Sequence, residues 1–333
     1  MFKKIAFLFC ALSHSLNYSH IMHTVVLNHP TTSTEVILFG DHHADTQHTQ
    51  DQTKIILSKL AMLTNSHEYK NGLVKVLFEG LAVYRNYKLH KKEFNETINH
   101  LFLDMYKKNK HEHLGFIDID NRLFNPLLQH ITLLLMNISK KKALDNATYT
   151  HIKDLLQQLK QELELYFETL TASKAEYSPY MRNLLDIKLS TIKSALSKID
   201  SVPLEADVEP NENSLGQYFS FIAQLANEAA MGIDFNAMQK IADYSCVKKF
   251  IIFAGINHTL NMLNALLDQG YKVIYDSSDI NSNLKRAIDI RKKFLDNWDL
   301  LAQDQESLAK LMEAEQELSK EVPDFMQFNY INL

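Results

Sequence analysis

Glu35–His43 reads EVILFGDHH, and Lys249–His258 reads KFIIFAGINH. Each opens on a short apolar run rich in β-branched and aromatic residues, the pattern of a strand. Each ends in Gly-x-x-His and runs into a stretch with helical spacing. Behind the first, Thr46–Thr64 carries Ile55, Ile56, Leu57, Leu60 and Leu63; behind the second, Thr259–Gln269 is closed by Gly270. In 333 residues with 8 glycines and 15 histidines, chance supplies about 0.4 Gly-x-x-His matches. Two of them, both at the carboxyl end of a strand, make a repeated unit.

Outward from these units, the chain alternates. His23–Asn28 (HTVVLN) precedes the first motif across a turn signal, His29-Pro30-Thr31-Thr32. Val74–Phe78 (VKVLF) is a further strand that ends at Glu79-Gly80, Gly115–Ile119 (GFIDI) a weaker one, and Lys272–Tyr275 the last. Strand, helix, strand over this length is a parallel βαβ unit with a right-handed crossover. From Asn86 to Tyr244 the chain is mostly helical, with Leu155, Leu156, Leu159, Leu163 and Tyr166 forming one apolar stripe, and Met181–Ile199 continuing the pattern. Ser201–Asn213, with its two prolines and acidic residues, is the linker candidate. The expected fold is therefore α/β, a mostly parallel sheet core with a large helical insertion. Residues 20–122 form the first half of the core, 123–212 the insertion, 213–280 the second half, and 281–333 carboxyl-terminal helices, with Asn283–Lys320 the charged amphipathic part.

Composition narrows the function classes. The chain has 8 Gly and 6 Pro and is 46% hydrophobic and 23% charged, which favours long helices and a sizeable core. No GxGxxG or GxxxxGK[ST] is present, so a glycine-fingerprint nucleotide enzyme is excluded. The net charge of -5 and pI near 6.3, with scattered basic residues, give no footprint for nucleic acid. Cys10 and Cys246 build neither a disulfide framework nor a thiolate zinc site. Residues 1–19 read as a secretory signal: Lys3 and Lys4, the apolar run Ile5–Leu12, then Ser13-His14-Ser15. That run is too short to span a membrane. The expected location is exported, periplasmic or secreted, if the signal operates, and cytoplasmic otherwise.

Ligands in open α/β sheets sit at the carboxyl ends of the strands. His43, Glu79 and His258 all fall there. A histidine near a helix amino terminus feels a positive potential that disfavours imidazolium, and a neutral imidazole binds metal or takes a proton. Two such histidines and a carboxylate suit a divalent ion with open positions for water. Asp41 and His42 rank behind them. The pair Asp118 and Asp120 reads as a solvated strand end, and His111-Glu112-His113, lacking HExxH spacing, as a polar loop.

Two Gly-x-x-His motifs with an intervening strand-end Glu resemble the superfamily that groups Tiki proteases, TraB proteins, erythromycin esterases and ChaN-like haem-binding proteins. Phe253–Tyr275 looks like the closing unit of TraB and Tiki proteins, a Gly-x-x-His, a helix, then Gly-Tyr before the last strand. Gly40–Gln52 (GDHHADTQHTQDQ) is closer to ChaN, matching at Asp41, His48 and Gln52, and departing at Ala44 and Thr46. Asn227–Met238, where the superfamily carries an arginine, has none. The resemblance implies a sheet core of the erythromycin esterase, ChaN and Tiki type, with His43, Glu79 and His258 as metal ligands. Glu79 and His43 would be the catalytic groups, and His48 a cofactor-binding residue on the pocket wall.

The function so implied is a metal-dependent hydrolase of TraB and Tiki type, a peptidase among the options, using Mn, Co or Zn on a small-molecule or peptide substrate. Two alternatives stand beside it: a ChaN-like haem- or iron-binding protein, and a metal-independent hydrolase like the erythromycin esterases. The expected partners include no nucleic acid and no stable membrane span. The helical insertion is a surface for a protein partner or self-association.

Overall fold

A hairpin of β1 (His20–Asn28) and β2 (Glu35–His42) begins the sheet in the computed structural model of the chain. The turn expected at His29–Thr32 closes it. His29 Nδ1 accepts the backbone N–H groups of Thr31 and Thr32 at 3.3 and 3.2 Å, and the His29 N–H donates to the Thr34 carbonyl at 2.9 Å. Both strands outrun their apolar segments. Pairing continues to His20 opposite His42, because a ladder needs only backbone groups. The structure describes residues 20–42, 49–79, 115–120, 146–199 and 230–296, with isolated positions between 127 and 134, at 222 and 225, and between 306 and 313. The leader expected in residues 1–19, His43, His48, His111–His113 and the linker Ser201–Asn213 lie outside the described residues.

α1 (Thr49–Asn65) and a short α2 (His67–Lys70) lead to β3 (Val74–Phe78). β4 (Phe116–Asp118), β5 (Lys249–Gly255) and β6 (Lys272–Asp276) complete six strands in the order β4-β3-β5-β2-β1-β6. β4, β3, β5 and β2 run parallel, and β1 is antiparallel to both of its neighbours, so β6 points the same way as β2. The sheet is mixed and mostly parallel, as expected of the α/β core. β2 and β3 are parallel but not adjacent, since β5 lies between them. Its fully buried Ile251 and Ile252 pair with Ile37 and Leu38 of β2 on one side and with Val76 and Leu77 of β3 on the other. Phe39 stacks on Phe253 at 4.7 Å, and burying each such ring contributes about 1.5–3 kcal/mol.

The described residues divide into a sheet unit drawn mainly from Ser15–Gly80 and Lys240–Leu333, and a helical unit drawn mainly from Asp120–Gln239. The sequence boundary at 213 and this division at Gln239 differ. In the helical unit, α3 (Asn146–Ala172) buries Leu155, Leu156, Leu159 and Leu163, the stripe read from its spacing. α4 (Pro179–Ile199) answers with Met181, Leu185, Ile192 and Leu196, and the two helices pack as a hairpin. α5 (Gly232–Asp243) brings Phe235 against Tyr177 at 4.8 Å. Gly232 lies directly under Tyr166, where a Cβ would sit 1.1 Å from the phenol oxygen.

In the sheet unit, α6 (Ile256–Asp268) follows β5 and packs on β2, β5 and β1. α7 (Ser282–Asp296) covers α6, with Leu284, Ala287 and Ile288 against Ile256 and Leu260. No helix among the described residues is long and apolar enough to cross a membrane.

Candidate functional site

Strand register sets which residues meet at the carboxyl edge. Gly40 pairs with His23 on β1 and with Ala254 on β5, while Phe78 pairs with Phe253, which puts Glu79 beside Ala254. Paired residues share a face of a pleated sheet. Across four strands one face therefore reads Glu79, Ala254, Gly40, His23. The two smallest residues stand in the middle, and the first turn of α6 fills the space above them. A Cβ on Gly40 would lie 2.8 Å from Thr259 Oγ1, 3.2 Å from His23 Cβ and 3.3 Å from Ile256 Cγ1.

Backbone conformation does not account for the two motif glycines. Neither adopts a left-handed backbone, and Gly255 has an ordinary φ of -53°. Gly40 is small because a helix rests on it.

Glu79 follows β3 by one residue, tied to β5 by its N–H, which donates to the Phe253 carbonyl at 2.9 Å. Its carboxylate is divided. Oε2 accepts the Gly255 N–H at 2.8 Å, at the amino end of α6, where Gly255 has no side chain to cap the helix. Negative charge there is favoured by the helix dipole. Oε1 stands 3.8 Å from His258 Nε2, and both side chains retain 13% exposure. Glu79 and His258, chosen from strand ends far apart in sequence, are thus brought together. His258 lies in the first turn of α6, as its motif position implied.

Two further pairs went unread in the sequence. His23, 1% exposed, places Nε2 2.9 Å from Asp276 Oδ1 at the end of β6. Burial raises the Asp276 carboxyl, but hydrogen bonding and charge from His23, with hydrogen bonds from Ser278, outweigh it and bring the pKa down to about 2. Thr24 N–H donates to Ser277 Oγ at 3.0 Å and fastens the same seam. His23 Nδ1 is buried with no hydrogen-bond partner among the described residues. The signal was present: Asp276 ends a strand, as Glu79 does. In the second pair, Arg291 Nη1 on α7 donates to Asn257 Oδ1 at 2.9 Å, beside His258. The arginine missing from Asn227–Met238 has no bearing on this contact, which comes from a later helix.

Asp41 is half-buried opposite Gly255, and His42 ends β2. Asp118 is half-buried and Asp120 buried, which corrects the reading of a solvated strand end. Ile119 N–H still donates to the Phe78 carbonyl at 3.0 Å, so the chain follows the sheet past the formal end of β4.

Among the described residues no group of three His, Cys, Asp or Glu is placed to hold a metal ion. Glu79 and His258 supply two donors of the right kind, since carboxylate oxygen and imidazole nitrogen each bind zinc at about 2.0–2.2 Å. Their separation of 3.8 Å is long for a hydrogen bond and within the range of an ion pair. The chain matches no protein-family model, no curated protein and no solved structure.

Proposed function

We propose that the protein is a metal-dependent hydrolase of the TraB and Tiki type, with Glu79, His258 and His43 holding a divalent ion at the carboxyl edge of the sheet. The observation that carries this reading is the carboxylate Oε1 facing His258 Nε2 across 3.8 Å, while Oε2 is anchored on Gly255 N–H. When bound, Mn, Co or Zn would supply an acidified water, with a pKa of about 7 in the case of a catalytic zinc. Glu79, fixed by its bond to Gly255, would serve either as a ligand to that ion or as the carboxylate that orients and activates the water. His258 is oriented by the first turn of α6, and Asn257, held by Arg291, keeps that turn in place. The substrate is a small molecule or peptide, met outside the cell if the amino-terminal signal operates and in the cytoplasm otherwise. The helical unit is the surface for a protein partner or for self-association.

The test is hydrolysis of a panel of quenched-fluorescent peptides and p-nitrophenyl esters, with EDTA and with Mn, Co or Zn restored. Removing the ion is expected to lower the rate by about 10²-fold or more, in line with the loss of an activated water. His258→Ala should lower it equally and should not respond to restored ion. Hydrolysis that survives EDTA but needs His258 would replace this reading with metal-free chemistry. A Soret band on adding haem, without hydrolysis, would replace it with haem binding.

A further inference from the structure

We infer that His130 and His151, in the helical unit, form a second metal site that takes one borderline divalent ion of the nickel, copper or zinc class. His130 stands in the helical stretch with Leu128 and Ile131, and His151 in the second turn of α3. Their ring centroids are 5.6 Å apart, with planes inclined at 65°. Leu128, Ile131, Ile152 and Leu155 around them are buried, whereas both imidazoles are exposed.

Geometry and chemistry agree on an ion. Two imidazoles bound to one tetrahedral centre at about 2.0–2.1 Å set their ring centroids roughly 5–6 Å apart. An edge-to-face ring contact spans the same distance, but two rings in water gain little from it. Among the described residues neither ring has a hydrogen-bond or ion-pair partner. Asp154 lies one turn along α3 from His151 and is exposed, and its charge favours a cation; Lys153 beside it is also exposed.

No third His, Cys, Asp or Glu among the described residues joins the pair, and water is able to fill the remaining positions of the ion. Imidazole donors without thiolates select nickel, copper and zinc over magnesium or calcium. The ion would tie the stretch holding His130 to α3 across twenty-one positions of sequence. Because it binds the folded chain, it raises stability by mass action. The site does not depend on the sheet-edge reading.

The experiment titrates nickel chloride into the full chain carrying His258→Ala, so that the sheet edge does not contribute, and follows uptake by calorimetry and Tm by circular dichroism. His151→Phe and His130→Phe keep an aromatic edge but remove the nitrogens. Each Phe variant is expected to bind nickel at least about tenfold more weakly at this site and to lose the nickel-induced rise in Tm, with its metal-free Tm unchanged. Equal uptake and an equal rise in all three chains would overturn the proposal. So would loss in only one Phe variant, since that ion would be held elsewhere.

Discussion

His23 and Asp276 join two strands that lie at opposite ends of the sequence, and their contact has a defined pH signature. Asp276 falls from its ordinary 3.8 to about 2 in the folded chain. A depressed carboxyl adds stability above the unfolded pKa and loses it as pH falls through the folded one. The pair's contribution is therefore complete above about pH 4 and fades toward about pH 2, amounting to on the order of 1–2 kcal/mol after allowance for partial exposure. Urea unfolding between those pH values should show a steeper loss of stability in the wild type than in Asp276→Asn. Parallel curves would mean that the carboxylate is not held as described. Glu79 offers a cleaner separation of roles. In Glu79→Gln an amide oxygen can still accept the Gly255 N–H, so the helix cap survives while the charge facing His258 disappears.

At the scale of elements, the contact between α6 and β2 depends on Gly40. A methyl group there meets Thr259 Oγ1 at 2.8 Å, and that hydroxyl is itself held by the Ile256 carbonyl at 2.9 Å. Gly40→Ala should cost about 1–3 kcal/mol through overpacking, measured by chemical denaturation. Thr259→Ala removes the clashing atom, so the double variant should be less destabilised than the sum of the singles. Strict additivity would show that the helix does not rest on this glycine.

Most strands were legible in the sequence, because runs such as VKVLF and KFIIFA are short, apolar and rich in β-branched or aromatic residues. Glu79 and His258 were legible together, since parallel strands end on one edge. Three features were not. The insertion of β5 between β2 and β3 is set by packing of distant segments. The reach of β1 back to His20 follows from backbone pairing, which polar residues satisfy as well as apolar ones. His23 was hidden because β1 is antiparallel, which delivers its amino end to the edge where the others bring their carboxyl ends.

For the molecule as a whole, the sheet unit supplies an edge at which β2, β3, β5 and β6 all end, and the helical unit is a separate packed body. β2 and β5 lie side by side, yet the chain after β2 goes on to β3 and the chain after β5 to β6, in opposite directions along the sheet. Ligands in open α/β sheets sit at the carboxyl ends of the strands, and Glu79 and His258 stand at that edge. The central claim is that these two side chains hold an ion together. It is tested most directly by elemental analysis of the full chain after loading separately with Mn, Co or Zn and desalting. His151→Phe is present throughout, so that the helical unit does not contribute. The account predicts close to one ion per chain for at least one metal, lost in both Glu79→Gln and His258→Ala while circular dichroism shows both variants folded. A parent chain that retains none of the three metals, or variants that retain the ion undiminished, would contradict it.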